Sequence, residues 1–197
     1  LADLDPDEIK RLRRIVETEG VNPDLARVAD DSEFLSNLEL IEDGKLTLAA
    51  VLLLGKATAL ARWAPQHEVI FIRFKTATEY DVRKDFKGPI FAVLEAVERA
   101  LEDRAKLTAV GVASFGEISV PDLTWKAARE GLLNALVHRD YFLRPSIHVN
   151  LYGDRLEISS PGGFIGGVTA KNILRHPPVR RNPLLAGALQ KAGLVNR

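Results

Sequence analysis

Residues 146–159 constrain the fold more than any other stretch of the chain. From Ser146 to Tyr152 apolar and polar residues alternate, with Ile147, Val149 and Leu151 on one side. Gly153-Asp154 interrupts the run, and Arg155 to Ser159 resumes it with Leu156 and Ile158. Two period-two runs separated by a two-residue turn predict a β-hairpin with one buried face. Pro161-Gly162-Gly163 closes it. Just upstream, Trp125 to His138 has helical periodicity, with Leu132, Leu133, Leu136 and Val137 apolar. This helix and the hairpin are the expected core of the C-terminal half.

The N-terminal part reads as helical. Asp5-Pro6-Asp7-Glu8 is a helix start in which Asp5 caps, Pro6 takes the first turn and Glu8 completes a capping box. Ile9, Leu12, Ile15 and Val16 form its apolar face, and Gly20 ends it. A short helix is expected from Asp31-Ser32, a turn at Glu42-Asp43-Gly44-Lys45, and a buried helix from Thr47 to Leu54 stopped by Gly55. Val69 to Phe74 predicts a strand. Glu79 to Lys87 is polar and reads as a loop. Ile90, Val93, Leu94, Val97 and Leu101 mark an amphipathic helix. Thr108 to Ala113 and Glu117 to Val120 read as a strand pair. Val168 to Leu174 reads as a helix broken by Pro177-Pro178, and a last helix begins at Leu184.

The chain holds 27 basic and 27 acidic side chains, so bulk charge points to neither a nucleic acid nor an anionic membrane. It has no cysteine, which excludes disulfides, thiolate metal sites and a cysteine nucleophile. The longest apolar run, Leu46 to Leu54, is too short to cross a bilayer. These features lead us to expect a cytoplasmic protein with no membrane partner. The chain lacks methionine even at its first position and stops within an apolar helix, as expected of a piece of a longer protein.

Glu130, Asn134 and His138 lie at i, i+4 and i+8 of the predicted helix, and so along one stripe. A carboxylate there can orient a water for attack on a γ-phosphate. A carboxamide oxygen can ligate Mg²⁺, which prefers oxygen and keeps several waters. Spacing alone fits a solvated helix face equally well. Ser159-Ser160-Pro161-Gly162-Gly163 follows a strand, and paired glycines let a backbone approach a ligand closely or simply turn the chain. Arg139 is either a phosphate contact or a cation at a helix C-terminus. Arg175, His176, Arg180 and Arg181 form a local basic cluster suited to a nucleic acid or to solvent. No Walker A loop, Gly-x-Ser-x-Gly elbow or spaced histidine metal site occurs.

The run Arg129-Glu130-Gly131-Leu132-Leu133-Asn134-Ala135-Leu136-Val137-His138-Arg139-Asp140-Tyr141 resembles the N-box helix of the RecG-like transcriptional regulators. That family is a divergent branch of the GHKL ATPases. Arg155 to Phe164 resembles the strand and glycine turn that follow, and Arg181-Asn182-Pro183-Leu184-Leu185 the approach to the last helix. The resemblance implies an α/β (α+β) fold: a two-layer sandwich of a mixed, mostly antiparallel sheet with helices on one face, preceded by a helical region. It implies a connecting region over 1–88 and an ATPase-like domain over 89–197, truncated at its C-terminal end. Glu130 would activate water, and Asn134 would bind Mg²⁺. His138, Ser160, Gly162 and Gly163 would line the ATP site. Ser159 or Ser160 stands where the superfamily has an adenine-reading aspartate.

The function so implied is a transcriptional regulator fragment that binds ATP–Mg²⁺ as a regulatory ligand, with DNA held by flanking domains and weak hydrolysis left open. An interaction module that kept the fold, forms homodimers and lost ATP is the alternative. A hydrolysing helicase-related enzyme is the third.

Overall fold

The computed structural model describes residues 1–111, 125–172, 175–177 and 179–195, with the side chains of 103–111 excepted. Helix α1 (Pro6–Glu19) starts as its sequence dictates: the Asp5 carboxylate accepts from the Asp7 N–H at 2.9 Å. Gly20 ends it with φ +62°. The reciprocal half of the capping box is absent. The Asp5 N–H donates instead to the Leu54 carbonyl at 2.7 Å, and the Glu8 carboxylate lies 3.2 Å from Arg11. Tertiary pairing thus takes over the orphan N–H that Glu8 was expected to satisfy. Burial raises the Glu8 pKa above the ordinary carboxylate value.

Helices α2 (Pro23–Ala26) and α3 (Asp31–Asn37) follow. The cap of α3 is Asp30, one residue ahead of the expected start, because Asp31 is drawn into a pair with Arg13 at 2.7 Å. Strands β1 (Ile41–Glu42) and β2 (Lys45–Leu46) form the expected turn, with Asp43 at φ +49° and Gly44 at φ +71°. Helix α4 (Leu48–Leu54) is capped by Thr47 and buried along its whole length from Ala49. Helix α5 (Ala57–Trp63) completes the region.

A four-stranded sheet follows, in the order β4-β3-β5-β6. Its members are β3 (Val69–Phe74), β4 (Tyr80–Phe86), β5 (Ile147–Leu151) and β6 (Leu156–Ser159). The two outer pairings are antiparallel and the central β3–β5 pairing is parallel. The mixed α/β architecture and the 146–159 hairpin therefore match expectation. Helices α6 (Ile90–Gly111) and α7 (Trp125–His138) cover one face, where Val69, Phe71, Ile147, Val149 and Leu151 are buried. Gly131 of α7 rides on Ile158: an added Cβ would lie 3.1 Å from its Cδ1. Helix α8 (Pro183–Lys191) closes the described fold. One hydrophobic cluster joins α1, α3, α4, α6, α7, the sheet and α8.

Three expectations are corrected. Residues 80–86 form β4 rather than a loop. An edge strand has one neighbour and is polar because water reaches its other side, and its charges discourage further pairing. Residues 108–111 end α6 rather than begin a strand, and the rest of that expected pair lies outside the described residues. Residues 168–172 are turns rather than a helix: Asn172 Oδ1 accepts from the Thr169 N–H and its Nδ2 donates to Gly167 O. A side chain that bonds local backbone in this way competes with a helix. No helix among the described residues is long and apolar enough to cross a membrane.

Candidate functional site

The C-terminus of α7 organises the site. The last carbonyls of a helix have no partner within it and need one elsewhere. Ser160 Oγ donates to Ala135 O at 2.8 Å, Tyr141 Oη to Leu136 O at 3.1 Å, and Asn182 Nδ2 to Val137 O at 2.7 Å. Asn182 also reaches Arg139 O at 2.8 Å. Three segments, two of them distant in sequence, are thereby fastened to one helix end. They are the strand exit at Ser160, the loop after α7 and the approach to α8.

Arg139 does not face the site. It is fully buried and donates to Gln66 O at 2.6 Å, Pro145 O at 2.7 Å and Leu143 O at 3.3 Å. Its role is architectural, which removes it as a phosphate contact. Asp140 turns the other way. Its N–H donates to Pro161 O at 2.8 Å, its Oδ1 accepts from the Phe142 N–H at 3.0 Å, and its Oδ2 accepts from Arg181 at 3.0 Å. Arg181 also donates to Gly163 O at 2.7 Å.

These contacts wall a cavity of about 440 Å³. His138, Ser160, Gly162, Gly163, Phe164, Ile165, Val168, His176, Pro177, Val179 and Arg181 line it. Four of the six expected site residues, His138, Ser160, Gly162 and Gly163, are thus together. Glu130 and Asn134 sit two turns and one turn back along α7, both exposed and outside the lining; Asn134 Nδ2 donates to Glu130 Oε1 at 3.4 Å. Phe164 and Val179 were not picked out as ligand-facing by sequence, and Arg181 only as one of a basic cluster suited to a nucleic acid or to solvent. The Arg-Asn-Pro run at 181–183 was the signal available, since one residue lines the cavity and the next caps α7.

The two glycines differ. Gly162 has φ +118°, and a Cβ there would lie 3.1 Å from Asp140 Cβ. Gly163 meets nothing within 4 Å. Only Gly162 is therefore required by the fold. Gly162→Ala is expected to cost about 1–2 kcal/mol through backbone strain and crowding of Asp140, whereas Gly163→Ala leaves the urea midpoint nearly unchanged.

The cavity is apolar with a cationic edge. Partial desolvation, then Arg181 and Arg180, lower the His138 pKa. The basic cluster is split: Arg181 enters the wall, Arg180 donates to Gln190 Oε1 at 2.9 Å, and His176 bonds Pro177 O at 2.7 Å. No group of three or more acidic or histidine side chains that could hold a metal occurs among the described residues.

Residues 145–197 match a family model described as "Putative ATP-dependent DNA helicase recG C-terminal". The segment similar to that family supplies the hairpin, the glycine turn, the outer cavity wall and α8. Helix α7, with Glu130, Asn134 and His138, precedes the matched residues. Residues 1–70 match a domain of unknown function, DUF8451. Among solved structures, the DIP2311 protein from Corynebacterium diphtheriae shares the fold, with a TM-score of 0.72 at 24% identity. The match covers 99% of this chain and 31% of that one, so this chain spans about a third of its length. No curated protein matches.

Proposed function

We propose that the chain binds ATP–Mg²⁺ as a regulatory ligand, with the base in the cavity at the end of α7 and the phosphates running back along that helix. The observation that carries this is the convergence of His138, Ser160, Gly162 and Gly163 on one cavity. The polarity of α7 supports the direction. Its carbonyl end carries partial negative charge, which suits the amino edge of adenine and disfavours phosphate. The Ser160 hydroxyl proton is committed to Ala135 O, so its lone pairs are free to accept from that amino group.

Asn134 and Glu130 fit Mg²⁺ as oxygen donors. Asn134 gives its Nδ2 to Glu130, so its Oδ1 is the atom left to act as an acceptor or ligand. Too few side chains converge here to cage a cation, so Mg²⁺ would rely on phosphate oxygens and waters, as it usually does. Bound there, it would neutralise phosphate charge. Glu130 is the group placed to orient a water. The cavity lining stops at His138, so no described wall shields such a water, and regulatory binding is favoured over turnover. Within a longer regulator, DNA contact would belong to flanking domains; the helicase description of the matched family agrees with such a setting.

The alternative is an interaction module without nucleotide. The serine in place of an adenine-reading carboxylate favours it, because a neutral acceptor makes the weaker bond. A thermal-shift titration decides. Nucleotide binding at ~100 Kd should stabilise the native chain by about 2.7 kcal/mol. We expect that shift to require Mg²⁺ and to vanish in Asn134→Ala. An unchanged melting curve at saturating ATP–Mg²⁺ would sink the nucleotide reading.

A further inference from the structure

The face of the sheet away from α6 and α7 has its own organisation. The registers place its side chains in rows that cross the strands in the order β4, β3, β5, β6. One row is Asp85, Ile70, His148, Ser159 and the next is Arg83, Ile72, Asn150, Glu157. Phe74 opposes Tyr80, stacks on Tyr152 at 4.6 Å, and Arg155 lies 4.0 Å over the Tyr152 ring, which gives a third row of Tyr80, Phe74, Tyr152 and Arg155. Ile72, Phe74, Tyr80 and Tyr152 lie outside the hydrophobic core cluster, whereas Ile70 between them is already buried. Tyr80 is 57% exposed. Each edge carries local ion pairs: Arg83–Asp85 at 3.1 Å on one, and Arg155–Glu157 at 2.6 Å with Arg155–Asp154 at 3.0 Å on the other; Arg83, Asp85, Arg155 and Glu157 are about half exposed.

We propose that this face is the contact between two copies of the chain, related by a twofold axis parallel to the strands. Such an axis reverses the strand order and keeps the rows, so β4 lies over the second copy's β6 and β3 over its β5. Arg83 then faces the other copy's Glu157, Tyr80 faces Arg155, and Phe74 faces Tyr152, each contact occurring twice. These three confrontations are complementary: opposite charges, a cation over an aromatic ring, and ring against ring; the remaining positions set Ile72 against Asn150, Ile70 against His148 and Asp85 against Ser159. Sheets packed face to face cross at about 30°. The outer strands lie about 7 Å from the centre, so the crossing displaces the edge rows by about 4 Å, within reach of an arginine. The four edge charges cancel, which argues against a nucleic acid on this surface, since such surfaces are basic. The contact is independent of the nucleotide reading.

Sedimentation analysis of the chain at micromolar concentration, with and without charge reversal, tests it. The wild type should form a concentration-dependent dimer. Arg83→Glu and Glu157→Arg should each raise the dimer dissociation constant at least about tenfold, and the double variant should return it close to wild type. Both sites are half exposed, so the variants should keep the wild-type circular dichroism. A wild-type monomer, single variants that dimerise normally, or a double variant no better than the singles would each overturn the proposal. A monomer that retards a single-stranded oligonucleotide would also overturn it and would assign the face to nucleic acid.

Discussion

Arg139→Met is expected to lower the unfolding free energy by about 3–4 kcal/mol, since each carbonyl left unsatisfied costs roughly 1–3 kcal/mol. The guanidinium is fully buried and spans three carbonyls from two segments. Gln66 precedes β3, while Leu143 and Pro145 belong to the loop between α7 and β5. These segments meet where the parallel β3–β5 pairing begins at Val69 and Ile147. The backbone there turns into the sheet and leaves carbonyls without ladder partners, which a planar, multi-donor cation can collect. Methionine keeps much of the volume and supplies no donor. Arg139→Lys should recover only part of the loss, because one ammonium cannot hold three diverging acceptors. Urea unfolding measures both. If Arg139→Met unfolds within about 1 kcal/mol of wild type, the carbonyls have found water and the clamp is unimportant.

The same residue shows where sequence reasoning stops. His138-Arg139-Asp140 are adjacent, yet the chain directs them to three places: one to the cavity, one to the core, one to Arg181. Near a helix end each residue turns by about 100° and the chain then leaves helical geometry. No local pattern fixes which of two neighbouring cations is buried. The hairpin was legible because its period-two alternation extends over both strands and a buried face admits one register. Strand β4 was not, because its charges obscure the alternation of Val82 and Phe86, and a register shift carries Tyr80 to the other face. The end of α6 was not, because Thr108 and Val110 are β-branched, whereas helix propagation from a well-formed segment outweighs local preference.

The site was legible in part for a related reason. His138, Ser160, Gly162 and Gly163 were picked out by resemblance, and they converge because side chains from outside α7 satisfy its last carbonyls. Asn182 takes Val137 O, and Arg139 O just beyond the helix, from a segment more than forty residues away. A requirement for three donors at one helix end is general, but which distant residues answer it is set by the fold. Arg181 therefore entered the cavity unannounced, beside the residue that positions it.

Acid should weaken the fold through His67 before most carboxylates titrate. Burial lowers its pKa from 6.5 to about 4. The ring is 4% exposed, with Nε2 3.0 Å from Gly88 O. A carbonyl only accepts, so Nε2 carries the proton and Nδ1 is a buried lone pair without a partner among the described residues. Protonating Nδ1 would place a charge in the core beside Arg139, itself a buried cation. The folded state thus binds a proton less readily than the unfolded chain. Its stability is complete above pH 6.5 and falls as the pH drops from 6.5 towards 4, by about 3 kcal/mol in all. His67→Gln provides the check. Its amide can donate to Gly88 O and does not titrate, so its unfolding free energy should be lower than wild type at pH 7 and flatter between pH 6.5 and 4. Parallel pH profiles for the two proteins would assign the acid sensitivity elsewhere, with the buried Glu8 excluded by its sign: a raised carboxyl pKa stabilises the fold as pH falls.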